Sequence, residues 1–376
     1  MEDNKNTQAA APETQAHEGK VTVSFAAIDP VLVTNIRTSE EVTFPGRDIV
    51  FWGKRNDFPA YLAYLRKNAA TLHSVIDGCV NYAVGDRIEV NPISKDWELN
   101  RFGETIRDFA RCVFMDLFTF GGFAYEVIRN EGGNVCEVHS VNLEDIRSNK
   151  ENEVFYYSED WSKRFGKKAD LVIPKFMREG TDKSSIFLYK NNRFQTYPEC
   201  PFEGALIAAE LERAIDEYHL NSMENGFTGS YIVNFNNGVP EDEIKKEIEK
   251  KFNQKFSGHK NAGRILFSWN DSRETQTTLQ KMEATDFADK YDALSKRSRQ
   301  QIFTAFRANP NLFGIPTENL GFSKEEYEGA FKLFNRTVIQ PAQRIFIEAL
   351  QKVWDADVRI TPFTLDGEGE NTETAE

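Results

Sequence analysis

The chain has little sulfur chemistry to offer. Its four cysteines, Cys79, Cys112, Cys136 and Cys200, stand far apart with no C-x-x-C pair. That argues against a structural zinc site or a disulfide framework and points to a reducing interior. The five histidines, His17, His73, His139, His219 and His259, are just as scattered, and no H-E-x-x-H occurs. There is no G-x-x-x-x-G-K-[ST] loop, no G-x-G-x-x-G and no G-x-S-x-G, so nucleotide hydrolysis, dinucleotide binding and serine hydrolase chemistry have no signature here. Acidic pairs such as Asp286/Asp289 and Glu325/Glu326 lie at helical surface spacings and read as solvated faces and caps. No apolar run is long enough to cross a bilayer; the longest, 112–125, is broken by Asp116. Residues 1–19 are polar and acidic, so no signal peptide is expected. The expectation is a soluble protein made in the cytoplasm, not an enzyme, with no metal and no cofactor.

Positive charge is also short. Forty-six Lys and Arg face 59 Asp and Glu, a formal net charge of −13. Nonspecific grip on nucleic acid comes from cations neutralising phosphates, so this balance argues against it. An acidic protein can still let DNA slide past. What the chain does have is length and apolar mass: 376 residues, 40% hydrophobic, with 30 Phe. That is enough for two or three domains or one elongated subunit.

The expected fold class is α+β. Residues 1–20 read as a flexible arm, and 21–36 alternate in part as a strand. Pro59 opens a helix running to Gly85, followed by a short strand at 87–90. A second amphipathic helix spans 97–118, with Phe102, Ile106, Phe109, Val113, Phe114 and Leu117 on one face. Strands at 124–129 and 135–141 flank a Glu131-Gly132-Gly133-Asn134 turn, a hairpin pattern. Pro201 then starts a helix over 202–226. A strand at 230–235, a Glu/Lys-rich helix at 240–257 and a strand at 263–269 come next, and a last strand at 358–365 precedes an acidic tail.

The rest is organised around 284–353. A helix over 285–308 places Phe287, Tyr291, Leu294, Ile302, Phe303 and Phe306 three or four apart. A loop with Pro310, Gly314, Pro316 and Gly321 interrupts it. A second helix starts with the capping box Ser323…Glu326 and contains Pro341, which predicts a kink. Lys290, Lys296, Arg297 and Arg299 lie on the first helix. Two readings stand for these cations: they line a channel and touch phosphates, or they pair with acidic residues of a neighbouring subunit or of the 202–226 helix (Glu210, Glu212, Asp216, Glu217). The net charge favours the second.

The run from Ile302 through Pro310 to Gly314, followed by Tyr327, Phe331, Phe334, Val338, Pro341 and Ile345, resembles the C-terminal signature of tailed-phage portal proteins. The resemblance covers most of 42–363 and implies a portal-like subunit. Residues 1–20 would be an arm and 21–201 a mixed α/β wing. Residues 202–229 and 284–309 would be two stem helices with a β-α-β clip, 230–283, between them. Residues 310–322 would be a tunnel loop, 323–365 a long kinked helix and final wing strand, and 366–376 a disordered tail. Ile315, Pro316, Thr317, Glu318, Asn319 and Leu320 would face DNA. The implied assembly is a dodecameric ring at one capsid vertex of the virion, formed in the host cytoplasm, through which double-stranded DNA is packaged and ejected. Its implied partners are the major capsid protein, the terminase large subunit and a head–tail connector, with no membrane. The alternatives are a nuclease-type DNA-processing enzyme of a mobile element, which would need clustered metal carboxylates, and a head–tail adaptor.

Overall fold

The computed structural model describes residues 36–46, 48–91, 98–161, 169–224, 231–235, 240–248, 265–269, 285–315, 324–354 and 356–363. The expected arm at 1–20, nearly all of the strand at 21–36 and the tail at 366–376 lie outside these residues. The chain divides into two units. One is Val31–Asp216 with Phe287–Glu376; the other is Met1–Pro30 with Glu217–Asp286.

In the first unit, β1 (Glu41–Val42) pairs antiparallel with β2 (Phe51–Trp52). The single helix expected from Pro59 to Gly85 is two helices, α1 (Phe58–Asn68) and α2 (Ala70–Val84). They part at Ala69, whose backbone is extended at φ −100 and ψ 112 and whose N–H still donates to Leu65 O. No proline or glycine marks this break. Strand β3 (Arg87–Asn91) follows.

Helix α3 (Ile106–Phe120) starts later than the expected residue 97. Thr105 and Asp108 cap it reciprocally, the hydroxyl accepting from the Asp108 N–H and the carboxylate accepting from the Thr105 N–H. A capping box fixes a helix start because it satisfies two orphan donors at once. The residues before it form a turn closed by the Glu98–Thr105 bridge. Phe102, expected on the apolar face, is therefore 80% exposed. The helix ends at Gly121, whose φ of +83 is left-handed. A Cβ there would lie 2.0 Å from Glu199 O, so only glycine fits.

Strand β4 (Gly122–Arg129) is the middle of an antiparallel sheet, between β5 (Val135–Val141) and β9 (Ser184–Lys190). A second antiparallel sheet holds β6 (Ile146–Ser148), β7 (Val154–Tyr157) and β8 (Leu171–Pro174). A 3-10 turn, Glu203–Ala205, leads into α4 (Leu206–Glu224), so α-helical geometry begins after the expected residue 202. The other unit contains β10 (Tyr231–Phe235) and β11 (Ile265–Trp269), paired in parallel from Tyr231↔Ile265 to Phe235↔Trp269. Parallel neighbours need a crossover, and helical residues 242–248 lie within it. The Phe235 and Trp269 rings stack at 4.4 Å.

Back in the first unit, from Phe287 on, are α5 (Thr285–Ala305), α6 (Lys324–Phe334) and α7 (Gln340–Val353). Strand β12 (Asp357–Thr361) closes antiparallel on β3. The core forms where α3 meets β4 and α7. The Phe109 ring touches those of Tyr125 and Phe346, at 5.4 and 6.1 Å, and Phe114 meets Phe346 at 5.2 Å. Each fully buried ring of this kind contributes roughly 1.5–3 kcal/mol. The Tyr125 hydroxyl donates to Ala349 O at 2.8 Å, tying the sheet to α7 with a satisfied buried bond.

Candidate functional site

The region that the sequence singles out begins where α5 ends. Arg307 adopts a left-handed φ of 53. The Ala308 N–H donates to Phe303 O and the Arg307 N–H to Thr304 O, the bond pair of a Schellman stop with arginine in the usual glycine place. A 3-10 turn, Pro310–Phe313, follows at once. Asn309 caps it by accepting from the Asn311 N–H, Pro310 fills its first position, and Gly314 ends it at φ 77.

This turn is clamped to α2. The Tyr82 hydroxyl donates to Leu312 O at 3.0 Å. The Phe313 ring lies against Tyr82, Phe303 and Phe334 at 5.7–6.2 Å. It also rests on Gly78, where a Cβ would come within 2.4 Å of the ring, so glycine in mid-helix lets the turn approach. Tyr82 gathers Phe331 and Phe363 as well, at 5.7 and 5.4 Å. Burial, and then the neighbouring Tyr327 hydroxyl, push the Tyr82 phenol up to about 12. Of the tunnel-loop residues, Ile315 is described and follows directly from this clamp, its N–H donating to Pro310 O at 3.2 Å. Pro316, Thr317, Glu318, Asn319 and Leu320 lie outside the described residues, as does Ser323 of the expected capping box.

The charges on the two long helices divide sharply. On α4, Glu210 and Glu212 are buried. Glu210 accepts from Arg213 at 2.8 Å and from the Tyr61 hydroxyl at 3.4 Å. Glu212 accepts from the Thr71 hydroxyl at 2.5 Å and from the Thr71 N–H at 3.2 Å. Thr71 lies in the first turn of α2, so Glu212 caps the helix that restarts after Ala69. Burial raises the Glu212 pKa, while the Thr71 bonds and the Arg299 charge pull it back. On α5, Arg299 is half-buried and donates to the Ser295 carbonyl and hydroxyl. Lys296 pairs with Asp292 one turn away at 3.3 Å, and both are exposed. Arg297 is exposed, and the Lys290 side chain lies outside the described set. Asp216, another acidic residue expected to pair, is exposed, as is Glu217 in the other unit.

Pro341 sits in the first turn of α7, and the five residues Asn335–Ile339 before it are a π-helical turn. The Gln340 N–H reaches back to Asn335 O. A proline cannot donate to the carbonyl four residues earlier and its ring crowds that carbonyl; the wider turn falls next to this gap. The Thr337 hydroxyl takes up Leu333 O at 2.8 Å.

Among the described residues, no group of three or more His, Cys, Asp or Glu could hold a metal ion, and no helix is long and apolar enough to cross a membrane. Three structural residues escaped sequence reasoning. Arg147 is buried and donates to Asn56 Oδ1, Asn56 O, Glu144 O and Ile146 O. Asp116 accepts from the Leu143 N–H, and burial first, then the charge on Glu144, push it up to about 8. Gly78 carried no signal at all, since a glycine inside a helical pattern reads only as a weak spot.

The family model "Phage portal protein" matches residues 102–364. No curated protein matches the chain. Among solved structures, a chain in the "neck of native GTA particle computed with C12 symmetry" is 15% identical with a TM-score of 0.51, over 88% of this chain and 87% of that one. A chain in the "virion of native gene transfer agent (GTA) particle" is 15% identical with a TM-score of 0.53, over the same shares. At that identity, the likeness is one of fold.

Proposed function

This chain belongs to the phage portal protein family, and from that premise we propose that it forms a closed ring at one capsid vertex, with a central channel for DNA packaging and ejection. The observation that carries the reading is the family match over 102–364. The order of elements within it agrees: a long helix, a parallel β pair with a helical crossover, a second long helix, a clamped turn and an interrupted helix. The twelvefold symmetry named for the particle neck of similar fold supports a dodecamer. Rings close when one patch meets a different patch on the next copy through a rotation that returns to the start. Docking of the terminase large subunit, the major capsid protein and a head–tail connector on this ring belongs to the same proposal, and no catalytic role is assigned.

The tunnel loop 315–320 is proposed to face the channel, where Glu318 is its single charge. A ring of such carboxylates repels the phosphate backbone and keeps DNA from sticking. Two measurements test this. Purified protein should scatter light as a large ring and show a central hole by negative-stain electron microscopy; monomer at every concentration and salt overturns the assembly. In assembled rings, Glu318→Lys should raise DNA retention, most at low salt, because each added cation neutralises a phosphate. Retention unchanged at low salt overturns the placement of the loop.

A further inference from the structure

Beside the clamped turn lies a cavity of about 410 Å³. One wall is α2, which contributes His73, Asp77, Asn81 and Tyr82; the other is Leu312, Phe313 and Phe363. The aromatic wall is held in place, since the Tyr82 ring meets Phe313 and Phe363 edge to face and its hydroxyl is fixed on Leu312 O. Among the described residues, Asp77 is the one carboxylate in the lining, and neither lysine nor arginine lines it. The Asp77 carboxylate accepts from the Asn81 amide at 3.1 Å. Arg111 approaches this corner, but its guanidinium donates to Asn81 Oδ1 at 2.8 Å and forms no ion pair with Asp77. The amide therefore takes that cation, and Asp77 keeps accepting capacity: an ionised carboxylate offers about four lone-pair positions.

A carboxylate beside aromatic rings in a half-enclosed space is the chemistry that receives a guanidinium or ammonium group. The rings attract a cation through their quadrupole, and the carboxylate adds a charge-assisted bond. We propose that this groove receives an arginine or lysine side chain from the next copy of this chain in the ring. The inference rests on the ring reading above and names one of its contacts. Charge complementarity selects the occupant. Each copy carries a net −13, so an interface that covers Asp77 with no cation opposite adds to the repulsion between copies, and one that brings a basic side chain to it relieves that cost. Arg297 and Arg307 are exposed and make no side-chain hydrogen bond or ion pair among the described residues, so such cations are available. The rigid backing of the groove means that its shape exists before the partner arrives, which lowers the cost of binding.

The test uses the full chain. p-Benzoylphenylalanine is placed at His73, which is exposed on the rim, and copies labelled with ¹⁵N are mixed with unlabelled ones before assembly and ultraviolet exposure. Mass spectrometry should find cross-links between heavy and light copies, landing on a segment that contains lysine or arginine. In parallel, Asp77→Asn, which preserves shape and the contact with Asn81, should weaken assembly about 2- to 30-fold per contact, the range expected of a cation held over aromatic rings. Asp77→Lys should weaken it further, with circular dichroism matching the parent. Cross-links confined to one copy, cross-links to a segment without a basic side chain, or Asp77→Lys rings as tight as the parent would each overturn this contact and leave the ring standing. Absence of rings in the unaltered protein would instead remove the ring reading, and this contact with it.

Discussion

Two buried charges hold distant parts of the first unit together, and they do so differently. Arg147 on β6 donates to carbonyl-type oxygens: Asn56 Oδ1 and O, Glu144 O and Ile146 O. Trp161 lies 5.1 Å from its guanidinium carbon and Trp52 lies 6.0 Å away. Burial lowers its pKa to about 10, so it stays charged throughout the physiological range. Glu212 on α4 is the opposite case, a carboxylate that takes donors, the N–H and hydroxyl of Thr71, and whose pKa burial pushes up. Both charges satisfy backbone groups that would otherwise be buried without partners, which is costly. The guanidinium cannot shed its charge to relieve burial, whereas the carboxylate can. The comparison therefore predicts one pH-insensitive and one pH-sensitive anchor.

Removing the first anchor should have the largest effect. Arg147→Met fills the space but leaves several carbonyl acceptors unpaired, and should cost about 3–5 kcal/mol of unfolding free energy. The sign with pH follows from where the two states differ in protons bound. With a folded pKa near 10 and an unfolded one near 12.5, Arg147 is protonated in both states up to pH 8, so its own titration adds no pH dependence; only Asp145, raised to about 6 by burial and held down by the Arg147 charge, makes the loss measured by urea unfolding somewhat larger at pH 8 than at pH 5. A loss that shrinks across that range would break the comparison.

Next in size is Glu212→Ala. It leaves the Thr71 N–H without its acceptor at the restart after Ala69 and should cost about 1–3 kcal/mol, in the range of a lost N-cap. A third substitution sharpens the contrast with a second raised carboxylate. Asp116 has a folded pKa of about 8, so its contribution to stability is complete below the ordinary aspartate pKa and is lost as pH rises through 8. Asp116→Asn cannot titrate, and its amide oxygen can still accept from Leu143. Relative to the parent it should gain stability between pH 4 and pH 8. Because part of the residue reaches the surface, the gain should be about 1–2 kcal/mol rather than the full value of the shift. A parallel pH dependence for the two proteins would show that Asp116 titrates normally.

The sequence carried the elements whose causes are local. The hairpin of β4 and β5 follows from alternation around Gly132 and Gly133, and β12 from Val358 and Ile360; the turn after α5 follows from Asn309, Pro310 and Gly314. The breaks it hid have remote or competing causes. Nothing near Ala69 interrupts a helical pattern, and the acceptor that caps the restart, Glu212, lies 141 residues away. Phe102 fits the periodicity of α3 perfectly well; only the Thr105–Asp108 capping box overrides it, and a capping box that uses Asp at its third position is a weaker signal than one with Glu. Pro341 was visible, but the π-helical turn beside it was not, because a proline specifies a missing donor without specifying how the preceding turn adjusts. The groove at Asp77 was illegible for the same reason as Ala69: its two walls are α2 and residues 312–363, brought together only by the fold.

The smallest expected effect is the most discriminating. Glu212→Gln keeps an amide oxygen that can accept from Thr71, so the cap survives in neutral form. It removes the charge-assisted part of two bonds and the attraction to Arg299, which destabilises, and it removes the cost of burying a charge, which stabilises. These oppose each other, and at neutral pH the variant should lie within about 1 kcal/mol of the parent, well short of Glu212→Ala. The pH dependence then decides the role. A raised folded pKa means that the Glu212 contribution is complete below the ordinary glutamate range and declines as pH rises through the folded pKa. Glutamine has no such decline, so Glu212→Gln should be the less stable protein at pH 4 to 5 or equal to the parent there, and should gain on it steadily as pH rises. Thermal unfolding across pH 4 to 8 reads this directly. If Glu212→Gln instead loses as much as Glu212→Ala at every pH, the carboxylate acts through its charge on Arg299 rather than as the cap of α2, and the contrast with Arg147 reduces to one between two charges that are each always on.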